Sequence, residues 1–106
     1  MIIPKKIRIG DLEYNIKERM FLFKNKTLAG TIIYGNLDMN IRRDMIPRAK
    51  EDTFFHEVAH GILKELEFNH PAMTKFRNDE IFVQELGLLL RKTYLDLEKK
   101  QQENAH

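Results

Sequence analysis

Two histidines and a glutamate in the second half of the chain have the types and the spacing of a metal site that hydrolyses bonds. The chain reads His56-Glu57-Val58-Ala59-His60, and on a helix the residues at i and i+4 lie on the same face, one turn apart. Two imidazoles placed in this way can bind one ion, and zinc accepts such nitrogen ligands while keeping one position open for water in catalytic sites. The motif therefore predicts zinc ligands at His56 and His60. Glu57 is placed to accept a proton from the water and is the predicted general base.

A hydrolytic zinc site takes a third protein ligand, and six residues after the motif are candidates: Glu65, Glu67, His70, Asp79, Glu80 and Glu85. The first two are too close in sequence to fold back over the histidines. Asp79 and Glu80 open the last helix, which must pack on the motif helix to bury its own apolar residues. Val83 and Gly87 share a face with Glu80, and their small size lets the two helices come close. We therefore expect Glu80 rather than Asp79 to be the ligand, with Glu85 as the alternative.

Two helices have to position these residues, and the apolar pattern predicts both. Pro47 suits the first turn of a helix, and apolar residues then recur at three- and four-residue spacing through the motif. Pro71 disfavours helical backbone at the residue before it, so the motif helix is predicted over 47–68. The last helix, which carries the third ligand, is predicted over 79–100. A loop or short turn joins the two helices.

The first 43 residues are predicted to be mainly β-structure, because polar and apolar residues alternate along them. One hairpin is formed by residues 5–9 and 12–17, and a second by residues 28–34 and 37–42. The whole chain, 1–106, is then a single α+β domain. Its small antiparallel sheet, made of the two N-terminal hairpins, packs on the motif helix and on the long C-terminal helix.

Length, charge and composition exclude several classes of protein. The chain has 106 residues, which suits one domain, and it has no cysteine, so neither disulfides nor thiolate ligands are available. The net charge is only +2, from 18 basic and 16 acidic residues, and does not indicate a basic surface that binds nucleic acid. No apolar run approaches the ~18 residues of a membrane span, and the N-terminus lacks the apolar region of a signal peptide. The sequence therefore predicts a cytoplasmic protein that binds neither membrane nor nucleic acid.

The motif and the segment Asn78-Asp79-Glu80-Ile81-Phe82-Val83 together resemble the gluzincin metallopeptidases, whose third zinc ligand is a glutamate on the next helix. Glu80 follows His60 by 20 residues, a gap similar to that in thermolysin-like enzymes. Strands before the motif helix and a single helix after it look most like the minimal gluzincins and the ImmA/IrrE-type metallopeptidase-like proteins of phages and mobile elements. The resemblance covers roughly residues 28–97. It implies that both histidines and Glu80 bind Zn²⁺ and that Glu57 is the general base.

One position differs from the thermolysin-like pattern, in which an aspartate four residues after the ligand glutamate supports the first histidine. This chain has Gln84 there.

The activity implied by the resemblance is that of a zinc-dependent endopeptidase, which cuts a peptide or protein substrate such as a regulatory protein. We expect the substrate to lie extended against the hairpin of residues 28–42. A further group must stabilise the negative charge that develops on the scissile carbonyl, and the candidates are Tyr34, His70, Arg91 and Tyr94. His70 is favoured, because it lies on the loop after the motif helix.

The alternative function is a catalytically silent zinc-binding module for protein interaction, although zinc binding alone needs no base at Glu57.

Overall fold

The computed structural model describes residues 1–20 and 28–104. It contains four strands, β1 (Lys6–Ile9), β2 (Leu12–Arg19), β3 (Gly30–Ile33) and β4 (Asp38–Arg42). Three α-helices follow, α1 (Pro47–Asn69), α2 (Thr74–Arg77) and α3 (Glu80–Asn104), with a 3₁₀ turn (Pro71–Met73) between α1 and α2. The predicted α+β fold, a small N-terminal sheet packed on helices, is confirmed. The expectation that the sheet also packs on the C-terminal helix is wrong, because the strands contact α1 and α3 packs on α1 instead.

The four strands form one mixed sheet in the order β1-β2-β4-β3. Both predicted hairpins are present, with Lys6 opposite Asn15 in the first and Gly30 opposite Ile41 in the second. The prediction that the sheet is antiparallel throughout is wrong where the hairpins meet, because β2 pairs with β4 in parallel, with Asn15 opposite Asp38. Alternation and turn residues specify which neighbouring strands form a hairpin. These local signals do not indicate how the two hairpins pair with each other, because that pairing depends on the hydrophobic core that both hairpins pack on.

The core lies between the sheet and α1. Met39 and Ile41 on the central strand β4 are fully buried, and they cluster with Phe54 and Phe55 on one face of α1. A second, smaller cluster between α1 and α3 contains Ala59, Leu63 and Val83. Helix α1 is therefore the central element of the domain, because it packs on the sheet with one side and on α3 with another.

Both long helices lie where the sequence predicts them, within a few residues at their ends. Helix α1 ends one residue later than predicted, just before the turn at Pro71. Helix α3 extends four residues beyond the predicted end, through Gln101, Gln102, Glu103 and Asn104. Glutamine and glutamate are good helix formers. In the described part of the chain, no helix combines the length and the apolar character needed to cross a membrane. A cytoplasmic location stays a prediction.

Candidate metal centre

The two histidines of the motif lie on adjacent turns of α1, as the helical spacing requires. Their ring centroids are 4.9 Å apart, and both side chains are half-buried at the surface of the helix, between the sheet and α3. Both Nε2 atoms come close to the carboxylate of Glu80, the first residue of α3. Its Oε2 is 3.2 Å from Nε2 of His56, and its Oε1 is 3.3 Å from Nε2 of His60.

This cluster has the composition and the size of a metal site. One ligand atom from each of His56, His60 and Glu80 lies within 4.8 Å of the other two, and no other such group of three occurs in residues 1–20 and 28–104. Two imidazole nitrogens and one carboxylate oxygen form a donor set found in hydrolytic metal sites. The three residues could therefore hold a metal ion that bridges α1 and α3.

The remaining candidate ligands are engaged elsewhere in the structure. Asp79 caps α3, because its Oδ1 accepts hydrogen bonds from the backbone N–H groups of Ile81 and Phe82 at 3.0 and 3.1 Å. Glu67 forms an ion pair with Arg77 at 2.6 Å. The other three lie away from the histidines: Glu65 packs near the β1–β2 turn, His70 is exposed at the end of α1, and Glu85 lines a groove on the outer side of α3.

A close contact between α1 and α3 brings Glu80 within reach of the histidines. Val83 is fully buried at this contact. A Cβ atom added to Gly87 would lie 3.0 Å from the Cα of His56 and 3.1 Å from its backbone nitrogen. Only glycine therefore allows the backbone of α3 to approach α1 so closely at His56, and α3 carries Glu80 at the start of the same rigid element.

Gln84 lies one turn after Glu80 and holds the ring of His56. Its Oε1 atom is 2.9 Å from Nδ1 of His56. An amide oxygen can only accept a hydrogen bond, so the contact requires the Nδ1–H tautomer, which leaves the lone pair of Nε2 free to bind a metal. Gln84 thus supports the histidine with a neutral acceptor, where the thermolysin-like sequence pattern has a charged aspartate.

The environment of Glu57 suits a general base. Its side chain is 6% exposed. Burial, and secondarily the negative charge of Glu80, raise the pKa of Glu57 to about 7. A carboxyl group with that pKa can both accept and release a proton near neutral pH. Burial also lowers the pKa of His60, which favours the neutral imidazole that a metal ion requires.

Two cavities meet at Glu57 and differ in chemistry. The first, of about 440 Å³, has a mainly apolar wall formed by Leu28, Ala29, Met45 and Ala49, and also reaches His56 and Gln84. The second, of about 380 Å³, contains the polar side chains of Tyr34, Arg77 and Asn78 beside His60 and Glu80. We call them the apolar cavity and the polar cavity. Gly30, on the edge strand β3, lines both.

Of the four residues considered as oxyanion stabilisers, only Tyr34 lines the polar cavity. Its hydroxyl donates a long hydrogen bond of 3.5 Å to the backbone carbonyl of His60. The favoured candidate, His70, does not line either cavity. Arg91 forms ion pairs with Glu51 and Asp52, and the ring of Tyr94 packs on Phe55.

Arg77 was not singled out from the sequence, yet it lines the polar cavity. Its Nε donates to Glu67 at 2.6 Å, and the Tyr34 hydroxyl is a further partner of its guanidinium. The only signal in the sequence is that Arg77 stands three residues before Glu80.

Comparison with family models, with curated proteins and with solved structures found no match to this chain.

Proposed function

We propose that this protein is a zinc-dependent endopeptidase in which His56, His60 and Glu80 hold the metal and Glu57 is the general base. The observation that carries the proposal is the position of Glu57. It is buried beside the three ligand candidates and is shared by both cavities. A site that only binds metal has no use for a buried carboxylate of raised pKa, which costs stability in the folded protein.

Zinc fits this donor set, because it accepts histidine nitrogen and carboxylate oxygen in sites that hydrolyse peptide bonds. When bound, zinc supplies a Lewis acid that lowers the pKa of water to about 7 and polarises a carbonyl group. Gln84 keeps His56 in the tautomer that can bind the ion. Burial lowers the pKa of His60, so that protons compete less with the metal.

Glu57 then performs two proton transfers. As a carboxylate it accepts a proton from the attacking water, and as a carboxylic acid it donates that proton to the amine that leaves when the C–N bond breaks. The pKa of about 7 places both forms within reach at neutral pH.

Tyr34 is the side chain best placed to stabilise the oxyanion. Burial raises its pKa to about 12, so the phenol keeps its proton and can donate a hydrogen bond throughout the neutral range. Its present bond, to the carbonyl of His60, is long at 3.5 Å and therefore weak. Exchanging it for a hydrogen bond to a developing negative charge is favourable.

The edge strand β3 supports a peptide as the substrate. Among the described residues it pairs only with β4, through one of its two edges. Gly30, Thr31 and Ile32 of this strand line the polar cavity together with Glu57 and His60. An extended peptide can add to this edge through backbone hydrogen bonds, which places a peptide bond beside the general base.

Metal analysis combined with a cleavage assay tests the proposal. We expect about one zinc ion per chain in the wild type, loss of metal in His56→Ala, and cleavage of a diverse peptide library that a chelator abolishes. Glu57→Gln should retain the metal and lose cleavage by about 10²–10⁴-fold. Glu65→Gln, on the same helix but outside both cavities, is the matched control and should behave as the wild type.

Two outcomes would contradict the proposal. Full zinc loading with no cleavage of any library peptide would instead support a silent zinc-binding module. Unchanged cleavage by Glu57→Gln would remove the general base from the mechanism.

A further inference from the structure

Helix α3 exposes an apolar face that the domain does not cover. Its inner side is buried against α1 through Val83 and Gly87. On its outer side, Ile81 is 79% exposed, Leu89 is 62% exposed and Phe82 is 37% exposed. A helix that only needed to pack on α1 would carry polar residues at these positions. The outer side of α3 therefore has the composition of a surface that another helix covers.

Two of these residues, Phe82 and Leu89, line a groove of about 340 Å³, which we call the outer groove. It is formed by Phe82, Glu85, Leu86, Leu88, Leu89 and Lys92. Glu85 and Lys92 are its only charged residues. They are seven positions, two helical turns, apart and so lie on the same side of the helix. Leu88 and Leu89 lie midway between them.

We propose that the outer groove is the interface of a homodimer in which the α3 helix of a second copy lies antiparallel to the first. A twofold axis that passes between Leu88 and Leu89 places Glu85 of each copy opposite Lys92 of the other. Each charged side chain in the groove then lies opposite a side chain of opposite charge from the other copy. The same axis sets Leu88 of each copy against Leu89 of the other.

The order of residues in the groove selects this partner over an unrelated helix. A twofold interface requires a surface that is complementary to itself, and a glutamate and a lysine placed symmetrically about two leucines meet that requirement. A parallel pair would instead bring Glu85 against Glu85 and Lys92 against Lys92. Charged pairs within an apolar interface also fix the register and the orientation of paired helices.

The dimer leaves the candidate metal centre open. The outer groove shares no lining residue with the apolar or the polar cavity. Dimerisation therefore does not depend on the proposed peptidase activity, and it can be measured on the metal-free protein.

Sedimentation velocity of the full chain over a range of concentrations tests the dimer. The 12.6 kDa chain should form a species of twice that mass. Glu85→Lys and Lys92→Glu should each weaken the dimer by about tenfold or more, since each replaces two attractive contacts by two repulsive ones. An equimolar mixture of these two variants should recover wild-type dimerisation, because each like-charged contact becomes an opposite-charged contact in the mixed dimer.

Two controls make this result specific. Glu13→Lys, on strand β2, changes the net charge by the same amount as Glu85→Lys and should leave the dimer unchanged. Circular dichroism should show that the variants, which replace exposed residues, keep the fold. A wild type that stays monomeric up to about 1 mM would overturn the proposal. So would a mixture that associates no better than its components.

Discussion

Gln84 is the single residue that decides how His56 presents its ring to a metal. With a neutral amide oxygen as the acceptor at 2.9 Å, the imidazole keeps the required tautomer. An aspartate at this position would add negative charge and make the ring nitrogen more basic. The difference affects how strongly the metal is bound and leaves the identity of the ligands unchanged.

Removing the support of Gln84 should therefore weaken the metal site without abolishing it. We expect Gln84→Ala to lower the affinity for zinc by about 10-fold or more, because the His56 ring loses its fixed orientation. Gln84→Glu keeps the acceptor oxygen and should bind zinc at least as tightly as the wild type. Competition with a chromophoric chelator measures both. Equal affinities in the wild type and Gln84→Ala would show that the hydrogen bond to His56 does not support the metal.

The raised pKa of Glu57 predicts a pH-dependent stability in the metal-free protein. Between the ordinary value of 4.5 and the value of about 7, the folded chain keeps a proton that the unfolded chain has released. The free energy of unfolding therefore falls as the pH rises through that window. Glu57→Gln lacks this titration, so from pH 5 to pH 8 it should gain about 2 kcal/mol of stability relative to the wild type.

Urea unfolding with chelator present, at both pH values, measures this difference. The lowered pKa of His60 changes the stability of the wild type and of Glu57→Gln in a similar way. Its contribution therefore largely cancels in the stability difference between them. A stability difference that stays constant between pH 5 and pH 8 would contradict the raised pKa of Glu57.

At the scale of single residues, local spacing predicted that the motif residues and Glu80 come together. It did not predict which side chains line the polar cavity beside them. The HExxH spacing and the helical face of Glu80 depend only on helix geometry, and the structure brings those residues together. Asp79 lies just before α3, where its carboxylate caps the helix, so Glu80 is the residue that faces the histidines. Tyr34 and Arg77 reach the polar cavity only through the packing of β3 and α2 around α1, which no spacing in the sequence encodes.

At the scale of elements, the contact between α1 and α3 at Gly87 determines whether Glu80 reaches His56 and His60. We expect Gly87→Ala to cost about 1–3 kcal/mol of stability, because its Cβ would press on the backbone of His56. The displacement of α3 should also move Glu80 and weaken zinc binding. Gly35→Ala is the matched control, since a Cβ there meets no atom within 4 Å.

Thermal unfolding and zinc titration of both glycine variants separate the two effects. If Gly87→Ala binds zinc as tightly as the wild type, then the position of Glu80 does not depend on the close approach of the helices.

The elements themselves were largely predictable, and their arrangement less so. Alternation and turn residues specify the hairpins, while the three- and four-residue spacing and the prolines specify α1. All of these signals act between residues close in sequence. The parallel pairing of β2 with β4 depends on contacts between distant segments, and so does the short helix α2, which packs against α1 and α3.

At the scale of the whole molecule, the proposed peptidase activity and the two cavities that meet at Glu57 together predict different preferences on the two sides of the cleaved bond. The apolar cavity suits an apolar side chain. The polar cavity, with Arg77, suits an acidic one. Arg77→Gln should therefore lower kcat/KM by about tenfold for peptides with an acidic residue on that side, mainly through KM.

Peptide profiling of two variants tests this preference. Lys75→Gln removes a positive charge two residues away and outside both cavities, so its cleavage profile should match that of the wild type. Peptides with a neutral residue at the same position should be cut equally well by wild type and Arg77→Gln. An equal loss on acidic and neutral peptides would show that Arg77 supports the site without selecting the substrate.

The parallel pairing of β2 with β4 also bears on the order in which the chain folds. Each hairpin closes a short loop, whereas pairing Asn15 with Asp38 joins positions 23 apart, at a greater cost in chain entropy. We therefore expect the hairpins to form early and the pairing of β2 with β4 to form late. Met39 and Ile41 of β4, which have no exposed surface, take part in that pairing. The core beneath α1 is then completed in the same step, and a partly folded chain does not yet hold the complete candidate site.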